Sequence, residues 1–329
     1  MAKVMRAARI LKFGGPKVLQ VQNDVPVPSI LDNQVLVQIK SAGVNPIDTY
    51  IREGASGNPQ LPYILGKDGA GIIEAVGKNV KKVKVGDRVF VCILPTNRQG
   101  TYAEYVAAEE KEVFPLSEKL TFHQGASIGI PYFTAFRALF LKANAKKGET
   151  VLVHGASGAV GLAAIQMCKH YGMKTLATAG TSEGIDLVQK NGADYVFCHK
   201  DKNYLDEMMK ATQSNGVDVI LEMLSNVNLG NDLTILAPRG RVMIIGSRGD
   251  VVINPRAMMF PETTITGVAL MSSSDEEWEK IGSAVCSGLE EGWLNPVINR
   301  IYPLKNVGDA HHDIIHSKGA KGNLVLSLD

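Results

Sequence analysis

The fold is decided by residues 151–172, which have the sequence VLVHGASGAVGLAAIQMCKHYG. A short apolar run ends in a cluster of small residues and then continues as a long helical pattern. The small residues have the spacing Ala156-x-Gly158-x-x-Gly161, with Gly155 directly before them. Such a junction is either a tight connection chosen for packing or a place where a ligand lies against the backbone.

The segments after this junction favour the second explanation. Short apolar runs alternate with helical patterns, which is typical of a parallel sheet covered on both faces. Six strands fit a complete dinucleotide-binding sheet, so we expect an α/β domain with a Rossmann, doubly wound sheet at residues 126–272. The free N–H groups and the dipole of the helix that follows the glycines would attract a phosphate. The predicted strands are ETVLVHGA, KTLATAG, DYVFCH, VDVILEM, GRVMIIG and TTITGVAL.

The first part of the chain, to about residue 125, has a different pattern. Alternating apolar runs such as QVLVQIKSAGV and VGDRVFV are interrupted by Gly and Pro at short intervals, which predicts a compact β-rich unit. After residue 272 a helix rich in charged and small residues precedes a segment that is again partly β. We therefore expect a discontinuous β-rich domain made of residues 1–125 and 273–329.

Composition limits the possible partners. The 329 residues carry a formal net charge of +2, so no strongly charged partner is implied. The dense lysine run at residues 78–84 is short and is expected to be a solvated loop. No apolar segment approaches the roughly 18 residues of a membrane span, and the N-terminus lacks a signal-peptide pattern. Four widely spaced cysteines suit a reducing compartment, so we expect a cytoplasmic protein.

The end of the second predicted strand bears on the choice of cofactor. Folds that prefer NAD place an Asp or Glu about 20 residues beyond the glycine motif, where it binds the ribose 2′-hydroxyl. Here residues 178–182 are TAGTS, and Glu183 lies past the turn. The missing acid favours NADP(H), although no Arg or Lys follows closely in sequence. His199, at the end of the third strand, is either a substitute phosphate contact or an ordinary strand-end histidine.

A second small-residue turn, IIGSRG at residues 244–249, follows another predicted strand. Ligands of open parallel sheets bind along this carboxyl edge. Arg248 in the turn is therefore either a phosphate or ribose contact or a solvated loop charge.

Together these motifs resemble a known family over essentially the whole chain. It is the zeta-crystallin-like quinone oxidoreductase branch of the medium-chain dehydrogenase/reductase superfamily. The resemblance implies a GroES-like β-rich catalytic domain interrupted by a Rossmann domain, with NADPH bound in the cleft between them. GVNPIDTYIREG and HGASGAVGLAA are the most diagnostic segments. The others are FGGPKVLQV, LPYILGKDGAG, VGDRVF, YAEYV, GASIGIPYFTAFRAL, ILEMLSNVNL and IIGSRG.

The resemblance also implies a set of cofactor-binding residues. Residues 157–160 would form the pyrophosphate loop, and Gly180 and His199 would flank the adenosine phosphate. Tyr50 would reach the cofactor from the catalytic domain. The loop VCILPTNRQGT looks longer than is usual before YAEY, which would change access to the cleft. The full set is Tyr50, Ser157, Gly158, Ala159, Val160, Gly180, His199, Asn228, Ile245, Gly246, Ser247 and Arg248.

Zinc ligands are missing where zinc enzymes of the superfamily carry them. Asn45 and Pro46 stand in place of a cysteine, and Lys67 stands in place of a histidine. The third segment, IGIPYFTA, has no cysteine, and the cysteines of a structural zinc lobe are also missing. We therefore expect no metal site. The histidines near the C-terminus are expected to form a solvated helix face; they are His311, His312 and His316.

The missing ligands bear on the reaction. Without a Lewis acid an alcohol is hard to activate, whereas a quinone or enone accepts hydride at a carbon whose developing oxyanion a few donors can stabilise. We expect reduction of quinones with NADPH, with reduction of enone or alkenal double bonds as an alternative. The donor candidates Asn45, Tyr50 and Lys67 have ordinary alternatives, namely a turn residue, a ring-packing residue and a surface charge. Of these three donor candidates, Tyr50 alone is expected in the site, and not as an acid.

Two expectations concern partners. The zeta-crystallin family is known for lens accumulation and for binding AU-rich RNA, so a binding or structural role is the alternative from another class.

Residues 263–270, TTITGVAL, are predicted to form an edge strand without the charge or Pro that usually protects an exposed edge. Pairing with the same strand of a second copy would cover it. We expect at least a dimer, and a tetramer as in relatives.

Overall fold

An antiparallel sheet dominates the first part of the computed structural model, which describes residues 3–328. Its longest strand alternates buried Val35, Val37 and Ile39 with less buried neighbours, so one face of the sheet packs on a core. This strand pairs antiparallel with β5 and β7 and, from the end of the chain, with β16. Three strands of this part of the chain form a separate small sheet in the order β2-β1-β4. The strands of both sheets in this part are β1 (Val4–Ile10), β2 (Leu19–Pro26), β3 (Gln34–Val44), β4 (Tyr63–Ile64), β5 (Asp68–Val76), β6 (Arg88–Cys92), β7 (Tyr105–Glu109) and β8 (Val113–Pro115).

Three helices accompany this sheet. Helix α1 (Pro46–Glu53) begins with a proline at its first position and a capping box between Asn45 and Asp48, and it ends at Gly54, whose φ is 78°. Helices α2 (Phe122–Gly125) and α3 (Gly129–Phe136) lead toward the second half of the chain, and a π-helical segment, Arg137–Lys142, follows α3. These elements bring the ends of α1 and α3 close to β5.

The second half contains the predicted parallel sheet. Its strands lie in the order β11-β10-β9-β12-β13-β14, and every neighbouring pair is parallel. This is the doubly wound order of dinucleotide-binding sheets, and it confirms the predicted Rossmann-type unit. The strands are β9 (Thr150–Val153), β10 (Lys174–Ala179), β11 (Tyr195–Cys198), β12 (Val217–Glu222), β13 (Leu236–Ile244) and β14 (Thr264–Gly267). The helices are α4 (Ala159–His170), α5 (Ser182–Lys190), α6 (Tyr204–Ala211), α7 (Ser225–Ile235) and α8 (Arg256–Met259).

The end of the chain returns to the first sheet. After α9 (Asp275–Glu291), strand β15 (Ile298–Pro303) and helix α10 (Val307–His316) precede β16 (Asn323–Ser327). Strand β16 pairs antiparallel with β3, and β15 pairs parallel with β16. The chain therefore follows the expected β-rich, α/β, β-rich order, while the exact residue boundaries of the two domains stay a prediction. No helix among residues 3–328 is long and apolar enough to cross a membrane.

An aromatic cluster packs the two halves against each other. Phe90 of β6 stacks on Phe114 of β8, with ring centroids 5.1 Å apart. Phe133 of α3 meets Trp278 of α9 edge to face, with centroids 5.0 Å apart, and it also contacts both phenylalanines. Such aromatic pairs add to the free energy of apolar burial. They fix α3, which forms part of the wall of the site described below.

One prediction about the histidines is wrong. His312 and His316 are exposed, as expected, but His311 is only 1% exposed. Its Nδ1 lies 3.0 Å from Arg52 and its Nε2 lies 3.1 Å from the Tyr102 hydroxyl. Helix α10 packs on α1, so the first of the three histidines points inward, and burial lowers its pKa to about 3.

A buried polar cluster lies beneath the carboxyl edge of the parallel sheet. His154, which follows β9, has its Nε2 3.0 Å from Asp232 of α7 and 3.8 Å from Glu222 at the end of β12. All three side chains are buried. Burial raises the pKa of Glu222 and of Asp232 to about 7 each, and burial lowers the pKa of His154. The cluster therefore favours a protonated carboxyl at neutral pH.

This cluster makes stability depend on pH. The folded pKa of Glu222, about 7, lies above its ordinary value of 4.5, so its contribution is present in acid and is lost as pH rises through 7. We predict that Glu222→Gln, a permanently neutral isostere, exceeds the native protein in free energy of unfolding by about 1–3 kcal/mol at about pH 8.5. The difference should vanish near pH 5, as measured by urea unfolding. Glu118→Gln, at an exposed position, is the control; parallel profiles for native protein and Glu222→Gln would contradict the prediction.

Candidate active site

The glycine junction has the geometry of a ligand-binding loop. Gly155 has a φ of +57°, which allows the sharp turn out of β9. A Cβ on Gly161 would come within 2.6 Å of the backbone of Ala156, so the start of α4 packs directly on the loop. At Gly158 the nearest atom to an added Cβ is 3.4 Å away, so this position does not need glycine for packing. The open backbone at the helix start suits close approach of a phosphate.

Two depressions flank this loop. The strand-end hollow, of about 340 Å³, lies over the ends of β9, β10, β11 and β12. The central cleft, of about 420 Å³, lies between the parallel sheet and α1 and α3 of the β-rich half. Met223 lines both depressions, so they meet beside the glycine loop. Together they offer an elongated groove with one polar end and one largely apolar end.

The central cleft gathers predicted residues from both halves of the chain. Tyr50 and Val160 lie on opposite sides of it, and all four residues of the turn 245–248 line it. The donor candidates Asn45 and Lys67 line it as well. Among residues 3–328 the Tyr50 hydroxyl has no hydrogen-bond partner, and its ring is half-buried in the wall. The donors therefore converge on one space beside the glycine loop.

The strand-end hollow holds the remaining predicted residues. His199 and Asn228 line it, and Asn228 donates a 3.1 Å hydrogen bond to Glu222. Gly180 lies against the imidazole, since an added Cβ would come 2.7 Å from His199 Nε2. Ser157, Gly158 and Ala159 line neither depression but form the loop between them.

Several residues of the site were missed at the sequence level. Lys200 lies beside Gly180, where an added Cβ would be 3.4 Å from its Cε. Pairing of β10 with β11 places Ala179 opposite Cys198, so the residues after β11 flank the tip of β10. The pairing therefore brings Lys200, a basic residue, to the tip of β10, where the neighbouring sequence has no Arg or Lys. The missed residues of the central cleft come from distant segments, and the motifs among these segments did not single them out; they are Leu94, Ile130, Thr134, Met223, Val268, Ala269, Leu270 and Met271.

Asn45 is held by carboxylates behind the cleft. Its side-chain Nδ2 donates to Asp68 at 2.9 Å, and its backbone N–H donates to Asp48 at 2.9 Å. The backbone N–H of Ile130 also donates to Asp68, at 2.9 Å. Burial raises the pKa of Asp48 to about 6 and that of Asp68 to about 7. Asn45 is thus a fixed capping residue, and its side-chain amide already donates one hydrogen bond to Asp68.

Lys67 is buried in the cleft floor. Only 2% of its surface is exposed, so the interpretation as a surface charge is wrong. Its Nζ donates to the Pro95 carbonyl at 3.2 Å and to the Tyr63 hydroxyl at 3.3 Å. It forms no ion pair with a carboxylate among residues 3–328, and burial lowers its pKa. Pro95 and Leu94 belong to the loop that looks long in the sequence, so this loop shapes the cleft.

The cleft does not fit a metal ion. Within the part of the chain that the structure describes, its lining includes no His, Cys, Asp or Glu, and the side chains of Lys67 and Arg248 in the lining disfavour a cation. Among residues 3–328, one group of His, Cys, Asp and Glu is close enough to hold an ion, namely His154, Glu222 and Asp232. That group lies beneath the strand-end hollow and has no part in the central cleft.

Comparisons with known proteins agree with this geometry. A family model described as alcohol dehydrogenase GroES-like domain matches residues 31–118, and one described as zinc-binding dehydrogenase matches residues 159–285. The chain is similar to solved structures that include an NAD-dependent alcohol dehydrogenase, with a TM-score of 0.91 and 28% identity over 99% of this chain and 100% of that one. It is also similar to a mycobacterial protein solved in complex with NADPH, with a TM-score of 0.87 and 28% identity over 98% and 99% of the two chains.

Curated relatives are closer in sequence. The quinone oxidoreductase of Sus scrofa is 53% identical over 327 residues, which cover 99% of this chain and 98% of the relative. The quinone oxidoreductase of Homo sapiens is 52% identical with the same coverage. Together with the fold, these similarities establish that the chain is an oxidoreductase and belongs to the quinone oxidoreductase family of the medium-chain dehydrogenase/reductase superfamily.

Proposed function

We propose that this protein reduces quinones with NADPH and without zinc, with enones and alkenals as the alternative acceptors. The observation that carries the proposal is the central cleft. It is largely apolar, opens beside the glycine loop, and holds Asn45 and Lys67 in place of metal ligands. Relatives named quinone oxidoreductase over nearly the full length support the same reaction.

The groove suits a phosphorylated dinucleotide. Backbone N–H groups at the start of α4 would hold the pyrophosphate, and His199 and Lys200 beside Gly180 would hold a 2′-phosphate. Tyr50 and the turn 245–248 would hold the nicotinamide end in the central cleft. When bound there, NADPH supplies a hydride. A mycobacterial structural neighbour solved with NADPH supports this choice of cofactor.

The walls of the central cleft suit a flat, uncharged acceptor. Leu94, Ile130, Val268 and Leu270 provide apolar surface opposite the few polar groups. A quinone or enone needs apolar contact along its ring or chain and a donor at its oxygen, and the cleft offers both. Because all four cysteines are free thiols, we place the enzyme in a reducing compartment, the cytoplasm.

The reaction can be tested directly. We expect protein purified without added metal to quench or shift NADPH fluorescence on binding and to oxidise NADPH with an ortho-quinone. Simple alcohols with NADP⁺ should give no turnover, and metal analysis should find no stoichiometric zinc. Stoichiometric zinc together with alcohol oxidation would contradict the proposal. NADPH binding without turnover of any quinone or enone would instead favour a binding or structural role, for which AU-rich RNA is the first ligand to test.

The preference for NADPH depends on the two residues beside Gly180. We predict that Lys200→Gln raises the Kd of NADPH about tenfold, ~1.4 kcal/mol, because a charge-assisted contact to the 2′-phosphate is lost. His199→Ala should weaken NADPH by about 1–3 kcal/mol. The Kd of NADH, measured by the same fluorescence titration, should change little in either variant. Lys202→Gln, an exposed lysine two residues on, is the control. Equal loss of NADH and NADPH affinity would contradict this assignment.

We also propose that β14 pairs with its counterpart in a second copy. It is the edge strand of the parallel sheet, and the segment before it exposes Val252, Met259 and Phe260, the first by 94% of its surface. Unprotected edges and exposed apolar side chains are features of subunit interfaces. A dimer would cover both the edge strand and these apolar side chains.

Light scattering at micromolar concentration tests this assembly. We predict that the native protein is at least a dimer and that Ile265→Pro, which removes a backbone donor from β14, shifts it toward monomer. Phe260→Asp should act in the same direction and leaves the backbone ladder intact. Leu31→Asp replaces an exposed leucine of the β-rich half and should leave assembly unchanged. A monomeric native protein would contradict the prediction, and unchanged assembly in both β14-side variants would place the interface elsewhere.

A further inference from the structure

We propose that Lys67 is the catalytic electrophile of the cleft: its ammonium binds the acceptor oxygen, stabilises the negative charge that forms there and donates the proton that neutralises it. This inference rests on the proposed function, because it assigns to one side chain the donor role in reduction of a conjugated carbonyl. It also states the substrate class, which is an uncharged acceptor whose oxygen becomes an enolate or a phenolate.

Burial without a counter-ion is the first reason. Taking an ammonium out of water carries a large penalty unless a carboxylate compensates it, and buried lysines are therefore normally paired. Lys67 is 2% exposed and contacts two neutral acceptors, the Pro95 carbonyl and the Tyr63 hydroxyl. Asp48 favours the charged form, but through space and without an ion pair. A lysine kept in this position without a counter-ion is a mark of a functional group.

The number of N–H donors of Lys67 that have an acceptor is the second reason. An ammonium has three N–H donors, and residues 3–328 supply acceptors for two of them. The Pro95 carbonyl and the Tyr63 hydroxyl also restrain where Nζ lies, and the Lys67 side chain lines the central cleft. Preorganised donors of this kind stabilise a developing oxyanion most effectively when the site excludes water.

The alternatives in the cleft are weaker. Arg248, the other cationic side chain in the lining, belongs to the turn that we assign to the cofactor. Asn45 already donates its Nδ2 to Asp68, and Tyr50 lies in the wall. Neither side chain can offset a full negative charge. A cationic group among the lining residues of the cleft supplies positive charge without a metal.

The chemistry balances with one proton. Hydride addition to a quinone or enone breaks the carbonyl-conjugated π bond, and its electron pair ends on the acceptor oxygen as an enolate or phenolate. Transfer of one proton from Lys67 makes the hydroxyl and leaves a neutral amine, which takes a proton from solvent before the next turnover. The product then tautomerises, from the enol to the saturated carbonyl or from the quinone adduct to the hydroquinone. Burial lowers the pKa of Lys67, which makes the ammonium a better acid.

The inference is tested with Lys67→Met, which keeps the length of the side chain and removes the charge. We expect kcat/KM for an ortho-quinone to fall about 100-fold, as when one oxyanion donor is removed. The Kd of NADPH, from fluorescence titration, should stay within about twofold, since Lys67 serves the acceptor. Lys84→Met, in the exposed lysine loop, is the matched control and should have native kinetics. Lys67→Arg keeps the charge and should retain more activity than Lys67→Met.

A second measurement does not depend on turnover. The protein is loaded with NADP⁺ and titrated with para-nitrophenol, whose phenolate absorbs visibly and resembles the reduced acceptor. Native protein should bind the phenolate, and Lys67→Met should bind it at least about tenfold more weakly. Equal phenolate affinity in native protein and Lys67→Met, or equal kcat/KM, would overturn the role of Lys67. If native protein turns over no quinone or enone yet binds the phenolate through Lys67, the proposed reaction fails while the anion site stands.

Discussion

The contact of Gly161 with the backbone of Ala156 fixes the geometry on which the site depends. An added Cβ would lie 2.6 Å from that backbone, so the first turn of α4 presses directly on the turn that leaves β9. This contact aims the free N–H groups of the helix at the space above the sheet. It also leaves open space beside Gly158, where a bound phosphate would come closest to the backbone. Any larger side chain at Gly161 would push the helix away and would widen the turn.

The same loop is where the two halves of the chain meet. The backbone N–H of Gly322 donates to the Ser157 carbonyl at 2.7 Å, just before β16 joins the antiparallel sheet beside β3. The central cleft is the space that this junction leaves between α1, α3 and the carboxyl edge of the parallel sheet. The glycine loop and the walls of the central cleft are therefore brought together at this connection. A wall built from both halves explains how a single groove can combine a polar end with an apolar end.

Local patterns predicted the parts of the structure that local physics determines. The six parallel strands and the glycine turn follow from apolar periodicity and from small residues at fixed spacing, and both were predicted. The face of α10 depends on its packing against α1, so His311 was placed in solvent wrongly. Lys200 was missed because it reaches Gly180 through the pairing of β10 with β11. In its buried position Lys67 donates a hydrogen bond to the backbone carbonyl of Pro95, and no sequence motif indicates this contact.

A crystal structure of the protein with NADPH and a non-reducible quinone analogue tests the central claim most directly. The nicotinamide should lie in the central cleft between Tyr50 and the turn 245–248. The carbonyl oxygen of the analogue should lie within hydrogen-bond distance of Lys67 Nζ, at about 2.7–3.2 Å. A metal ion in the cleft, or an analogue whose oxygen faces away from Lys67, would contradict a zinc-independent reduction assisted by a buried ammonium.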